Sequence, residues 1–177
     1  MAGHAVTDAE RRRAILDAAL ACFIQFGYAK TSLDDIAKRA GLSRPLLYRK
    51  YRNKEDIFGA VYDDVFEARY PAAEAILAGR GSRRDKLLRV YELLCVETWA
   101  LVMDAPMAQE FYDACMQIIP EIHDKHERKL LGLTRRLLES KEEAEVLMLA
   151  VDGMFVDLPS VAVLRKRLRV LIDRFAP

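Results

Sequence analysis

Cysteine is scarce in this sequence and never paired. Cys22, Cys95 and Cys115 form no CxxC, and their number is odd. That excludes a disulfide framework and a thiolate zinc knuckle, and it reads as three buried free thiols in a reducing, cytoplasmic compartment. Long apolar runs are missing too. Val146–Val151 is among the longest, far short of the roughly 20 residues that cross a bilayer, and the opening residues carry no pattern of a secretory leader. No stretch alternates as a strand does, and no repeat or low-complexity tract occurs. The sequence also lacks a nucleophile paired with a base, a glycine-rich phosphate loop and a complete set of metal ligands, which argues against an enzyme and against a cofactor. His123, His126 and Glu127 share a helical stretch, but spacing fixes no third ligand and there is no E-x-x-H pair. They read as a solvated face, and no metal is expected.

What remains is helix, with a lopsided charge. The 177 residues are 52% hydrophobic and carry a formal net charge of +1. Residues 1–54 hold 11 Lys or Arg against 5 Asp or Glu, while the remainder holds 17 against 22. A basic amino-terminal third suggests polyanion contact at one end only. Thr7-Asp8-Ala9-Glu10 is a capping box. Ile15, Ala19, Cys22, Phe23 and Phe26 form the buried stripe of a first helix closed by Gly27. Ser32 with Asp35, Asn53, and Ser82 with Asp85 open further helices, and Gly79-Arg80-Gly81-Ser82 is the clearest break. Later helices are expected near 105–118, 120–139, 142–157 and 159–175, with Pro106, Pro120 and Pro159 in first turns. The fold class is all-α.

The most informative stretch is residues 33–51, two short helical patterns around Ala40-Gly41-Leu42-Ser43. Ile36, Ala37 and Ala40 give one apolar face, and Leu42, Leu47, Tyr48 and Tyr51 the opposing one. Gly41 sits where the chain must turn with positive φ, and the small Ala37 lets the second helix approach closely. This is a helix-turn-helix whose second helix, Arg44 to Lys50, is suited to the major groove of DNA.

The flanks narrow the reading. Phe23-x-x-x-Gly27-Tyr28, Thr31-Ser32-Leu33-x-x-Ile36-Ala37, Ala40-Gly41-Leu42-Ser43, Leu47-Tyr48-x-x-Tyr51 and Lys54-x-x-Ile57 follow in order. Over residues 9–62 the chain resembles the tetracycline-repressor (TetR) family. Tyr51 stands for the family's common Phe, and Pro45 and Leu46 replace small residues at the start of the recognition helix, so sequence preference does not carry over. The resemblance implies a three-helix DNA-binding domain over 1–54 and a helical ligand-binding and dimerisation domain over 55–177. Candidate DNA-contacting residues are Lys30, Thr31 and Ser32 at the start of helix two, where free N–H groups can grip phosphate; Ser43, Arg44, Pro45 and Leu46 in the first turn of the recognition helix; and Tyr48, Arg49, Lys50 and Lys54. Arg44 can pair bidentately with guanine and Leu46 can cover a thymine methyl, whereas Tyr48, with a buried ring, and Lys54 suit phosphate.

The second domain is expected to sense a small, apolar effector. Trp99, Met103, Met107, Phe111, Tyr112, Cys115 and Met116 recur at helical spacing, and Met-rich linings adapt to varied ligands. Met154, Phe155, Val161, Leu164, Leu168, Leu171 and Phe175 form the expected seam of a homodimer that reads a palindromic operator. The function these readings predict is a repressor released by its effector. The alternative is a basic helical adaptor docking an acidic partner or a membrane surface.

Overall fold

The computed structural model describes residues 7–176, and every regular element among them is helical. In chain order these are α1 (Asp8–Lys30), α2 (Leu33–Arg39), α3 (Arg44–Lys50), α4 (Lys54–Glu67), α5 (Tyr70–Ala78), α6 (Arg83–Tyr91), α7 (Glu97–Ala100), α8 (Ala108–Ile118), α9 (Pro120–Arg135), α10 (Lys141–Gly153) and α11 (Val161–Phe175). A π-helical turn, Glu92–Val96, joins α6 to α7. No described helix is long and apolar enough to cross a membrane.

Capping chemistry sets the starts. Thr7 and Glu10 make the reciprocal capping box at α1, and Ser32 and Asp35 make the same pair at α2. The hydroxyls of Ser82, Ser140 and Ser160 accept from the third backbone N–H of the helices they open, each satisfying a donor that the helix itself cannot. Gly27 closes the long regular stretch of α1. It interrupts the helix with φ 83° and ψ 163°, after which the chain resumes through Lys30. Phe26, the residue before Gly27, is 44% exposed rather than buried. Pro106 lies in the turn before α8, and Pro159 two residues ahead of α11; Pro120 is the first residue of α9.

The chain divides into two compact units. One comprises the described residues up to Asp64 together with Ala105–Pro120; the other comprises Val65–Asp104 and the described residues from Glu121 onward. The division expected between residues 54 and 55 falls at the first residue of α4. In the first unit, Ile15, Phe23, Ile36, Leu47, Ile57 and Phe58 are fully buried. Phe58 meets Phe23, Tyr28 and Phe111 edge-on at 4.9, 5.1 and 5.3 Å, so α8 completes this core. In the second unit Leu87, Tyr91, Leu147, Leu164 and Ile172 are at most 1% exposed, and the Tyr91 hydroxyl pairs with Thr134 Oγ1 at 2.8 Å. All three cysteines are buried free thiols, and burial pushes Cys95 up to about 12.

Candidate nucleic-acid interface

The turn between α2 and α3 fixes the interface. Gly41 takes φ 67°, its N–H donates to Lys38 O at 3.3 Å and the Leu42 N–H donates to Ala37 O at 3.0 Å. This pair of bonds is a Schellman closure, which needs a left-handed residue after the last helical one. A Cβ at Gly41 would meet nothing within 4 Å, so the demand there is conformational rather than spatial. Beyond the turn, Ser43 opens α3 with no side-chain capping bond and Pro45 fills the first turn. Leu47 (0% exposed) and Tyr51 (8%) anchor α3 to the core, while Tyr48 is 51% exposed. Tyr48 was expected to bury its ring. One residue past Leu47 on a 3.6-residue helix, it projects away from the buried face instead.

Acidic residues hold several of the basic ones. Arg44, two-thirds exposed, pairs with Asp34 of α2. Lys50 donates to Asp8 at 2.5 Å and holds that carboxyl below its usual range. Arg12 and Arg13 pair with Asp64 at 2.6 and 3.3 Å. Among the described residues Lys30 and Arg49 enter no ion pair, and both are exposed.

Two candidates are occupied structurally. Thr31 is 2% exposed, and its hydroxyl donates to Gly27 O at 2.7 Å; it closes the break in α1 rather than offering a free hydroxyl. Ser32, exposed, is engaged with Asp35. Lys54 donates to the Tyr28 and Ala29 carbonyls at 2.7 and 3.1 Å and lies 4.4 Å over the Tyr28 ring. Its charge therefore sits against the carbonyls of the short turn that follows Gly27. Glu110 of α8 accepts from Ala29 N–H at 2.8 Å, and the Met107 N–H donates to Ile24 O at 3.2 Å. Neither contact was visible in the sequence, because residues 81 and 83 positions apart leave no periodic signal.

The remaining candidates fall into both units. Met107, Phe111, Tyr112, Cys115 and Met116 belong to the first, with Phe111 and Cys115 buried and Met116 39% exposed. Trp99 and Met103 belong to the second, where the Trp99 indole donates to Pro159 O at 2.8 Å and meets Phe155 edge-on at 5.1 Å. Leu164 and Leu168, expected in a seam between chains, are 1% and 2% exposed inside the chain's own core; Met154, Phe155, Val161, Leu171 and Phe175 are half-buried. His126, expected on a solvated face, is 3% exposed. It stacks on Phe66 at 4.7 Å, and its Nδ1 pairs with the Tyr70 hydroxyl at 2.6 Å. His123, Asp124 and Glu127 bring ligand-type atoms within 4.8 Å of one another.

An all-helical chain whose basic amino-terminal part carries a Schellman-closed helix-turn-helix is built as a DNA-binding protein. Residues 15–61 match the model for bacterial regulatory proteins of the tetR family. The HTH-type transcriptional repressor ComR of Escherichia coli is 44% identical over 64 residues, 34% of this chain and 30% of ComR. The HTH-type transcriptional regulator YhgD of Bacillus subtilis is 23% identical over 130 residues, 73% of this chain and 68% of YhgD. A TetR-like transcriptional regulator from Rhodococcus is 26% identical, with a TM-score of 0.64 over 96% of this chain and 97% of that one. Residues 15–61 thus carry the DNA-binding domain of tetR-family bacterial regulatory proteins, and the relatives matched along more of the chain are transcriptional regulators.

Proposed function

We propose that this chain is a dimeric repressor that binds a palindromic operator through α3 and leaves it when a small apolar molecule binds. The observation that carries the reading is the exposed face of α3, where Ser43, Arg44, Pro45, Tyr48 and Arg49 stand outside a helix pinned by Leu47 and Tyr51. Asp34 pairs with the Arg44 guanidinium, and guanine O6 and N7 replace that carboxylate in the major groove. Arg49 and Lys30 add phosphate contacts, and the Ser43 hydroxyl is available because it caps nothing. The name of ComR, a repressor, favours repression over activation.

Two-fold symmetry lets two short recognition helices read one palindrome. The seam in this reading is the row of exposed apolar residues Val146 (54%), Leu149 (71%), Val156 (78%), Val163 (42%) and Val170 (57%), rather than the buried Leu164 and Leu168. A patch of that kind marks an interaction surface. The effector acts through differential affinity for two arrangements of the chain, and Trp99, the sole tryptophan, reports its binding.

The test is footprinting on the genomic region around the gene, followed by titration of Arg44→Ala. Loss of about 1–3 kcal/mol with relaxed preference at one position of each half-site is expected. Equal losses on specific and random duplexes remove Arg44 from base reading, and the absence of any palindromic footprint removes the function.

A further inference from the structure

A groove in the second unit, walled by α5, by α6 with its π-helical turn, and by α11, has a volume of about 710 Å³. That lies in the range of roughly 300–1,000 Å³ occupied by small-molecule sites. None of the seven residues that the sequence offered as ligand-binding lines it. Ile76, Leu88, Leu93 and the buried Leu168 give it an apolar lining, and Arg89, Arg165, Arg169, Glu92 and Glu97 supply its charges.

The backbone of one wall is unusual. Within the π-helical turn the Glu97 N–H donates to Glu92 O, five residues back. The wider turn swings Glu92 and Glu97 toward a common side, which a 3.6-residue helix would not do, and such single π-turns recur at functional sites. Of the two carboxylates only Glu92 pairs with Arg165. Its guanidinium donates to Glu92 at 2.5 and 2.8 Å, and the charge of Glu97 reinforces the pair. With Arg165 neutralised, Arg89 and Arg169 are left. Both are exposed, and neither enters an ion pair among the described residues. Arg169 stands one turn beyond Arg165 on the same face of α11.

We propose that this groove is a separate small-molecule site, which takes an amphipathic organic anion whose acidic head is held by Arg89 and Arg169 and whose apolar body covers Leu88 and Leu93. Guanidinium forks suit a carboxylate or sulfonate, and the lining offers a neutral polar ligand little. The pinned Arg165–Glu92 pair keeps the wall in place with or without a ligand. The inference does not rest on the operator reading, because the site is measured on the protein alone.

The experiment is calorimetric titration of the full chain with dodecanoate and with dodecan-1-ol, both below the concentrations at which they aggregate. One dodecanoate per chain is expected, with the alcohol at least about tenfold weaker, since a charged hydrogen bond is worth a decade or more in affinity. Arg89→Gln and Arg169→Gln should each weaken dodecanoate by a similar factor at unchanged melting temperature. Leu93→Glu, which adds a carboxylate to the wall, should abolish binding while the chain stays folded. Equal affinity for acid and alcohol overturns the proposal, as does full binding by the Arg89→Gln, Arg169→Gln double variant. So does an acidic helical peptide that binds there when dodecanoate does not.

Discussion

Gly27 offers the sharpest test of how α8 is fastened to α1. Its φ of 83° and ψ of 163° lie where essentially only glycine is found, and forcing another residue there costs on the order of 1–3 kcal/mol. Space adds a second term. A Cβ at Gly27 would stand 2.3 Å from Glu110 Oε2 and 2.6 Å from Glu110 Oε1 and Cδ, so the carboxylate must swing away and lose its 2.8 Å bond from Ala29 N–H. That bond is exposed and is worth about 1 kcal/mol net at most. Gly27→Ala should therefore destabilise by about 2–4 kcal/mol. Glu110→Ala alone should cost only the bond, and Gly27→Ala introduced into Glu110→Ala should cost only the backbone part. Urea denaturation of the four chains gives the cycle, with an expected coupling near 1 kcal/mol. Strict additivity would refute the steric half of the reasoning, and a Gly27→Ala chain as stable as the parent would refute both halves.

Four further outcomes follow from other features. Asp152 stands at the surface, yet the protein packed beside its carboxyl, with Glu127 adding to the effect and His123 opposing it, holds it up at about 6, above its unfolded value near 3.9. Between those pH values the folded chain keeps a proton that the unfolded chain has released, so stability falls as pH rises through the window; Asp152→Asn should raise the melting temperature at about pH 7.5 and leave it unchanged near pH 4, and equal shifts at both would contradict this. Gly41→Ala should cost about 1–2 kcal/mol by placing a Cβ on a left-handed residue, read by denaturation. Lys54→Ala should lower both the melting temperature and the affinity for every duplex, because its ammonium holds the carbonyls of the short turn that follows Gly27; a loss of DNA affinity alone would make it purely a phosphate contact. Leu149→Asp should give a monomer in sedimentation, and a dimer that survives it moves the seam away from α10.

The helix-turn-helix was legible because everything that makes it is local. Gly41, Ala37, Ile36 and Leu47 lie within a dozen residues, and the Schellman turn is specified by one glycine after one helix. What periodicity cannot report is the identity of the covering partner. The stripe Leu164, Leu168 and Ile172 announces burial equally well whether α11 meets its own chain or another, and here its own chain covers it. Phe111 lies on an apolar stripe of α8, yet nothing in that stripe names Phe58 as its neighbour. Charge was similarly half-legible. Arg44 and Lys54 stood out as cations, but Asp34 and the Tyr28 and Ala29 carbonyls that hold them are fixed only by the tertiary fold.

The first unit is assembled from two pieces of chain separated by residues 65–104, and this has a consequence for synthesis. Phe58 lacks its Phe111 neighbour, and Ala29 its Glu110 acceptor, until the ribosome has passed residue 111. At roughly 5–20 residues per second, the half-finished amino-terminal domain waits some seconds with part of its aromatic core uncovered. A nascent chain arrested shortly after residue 64 should bind chaperones and be cut by proteases, whereas one arrested well past residue 120 should resist both.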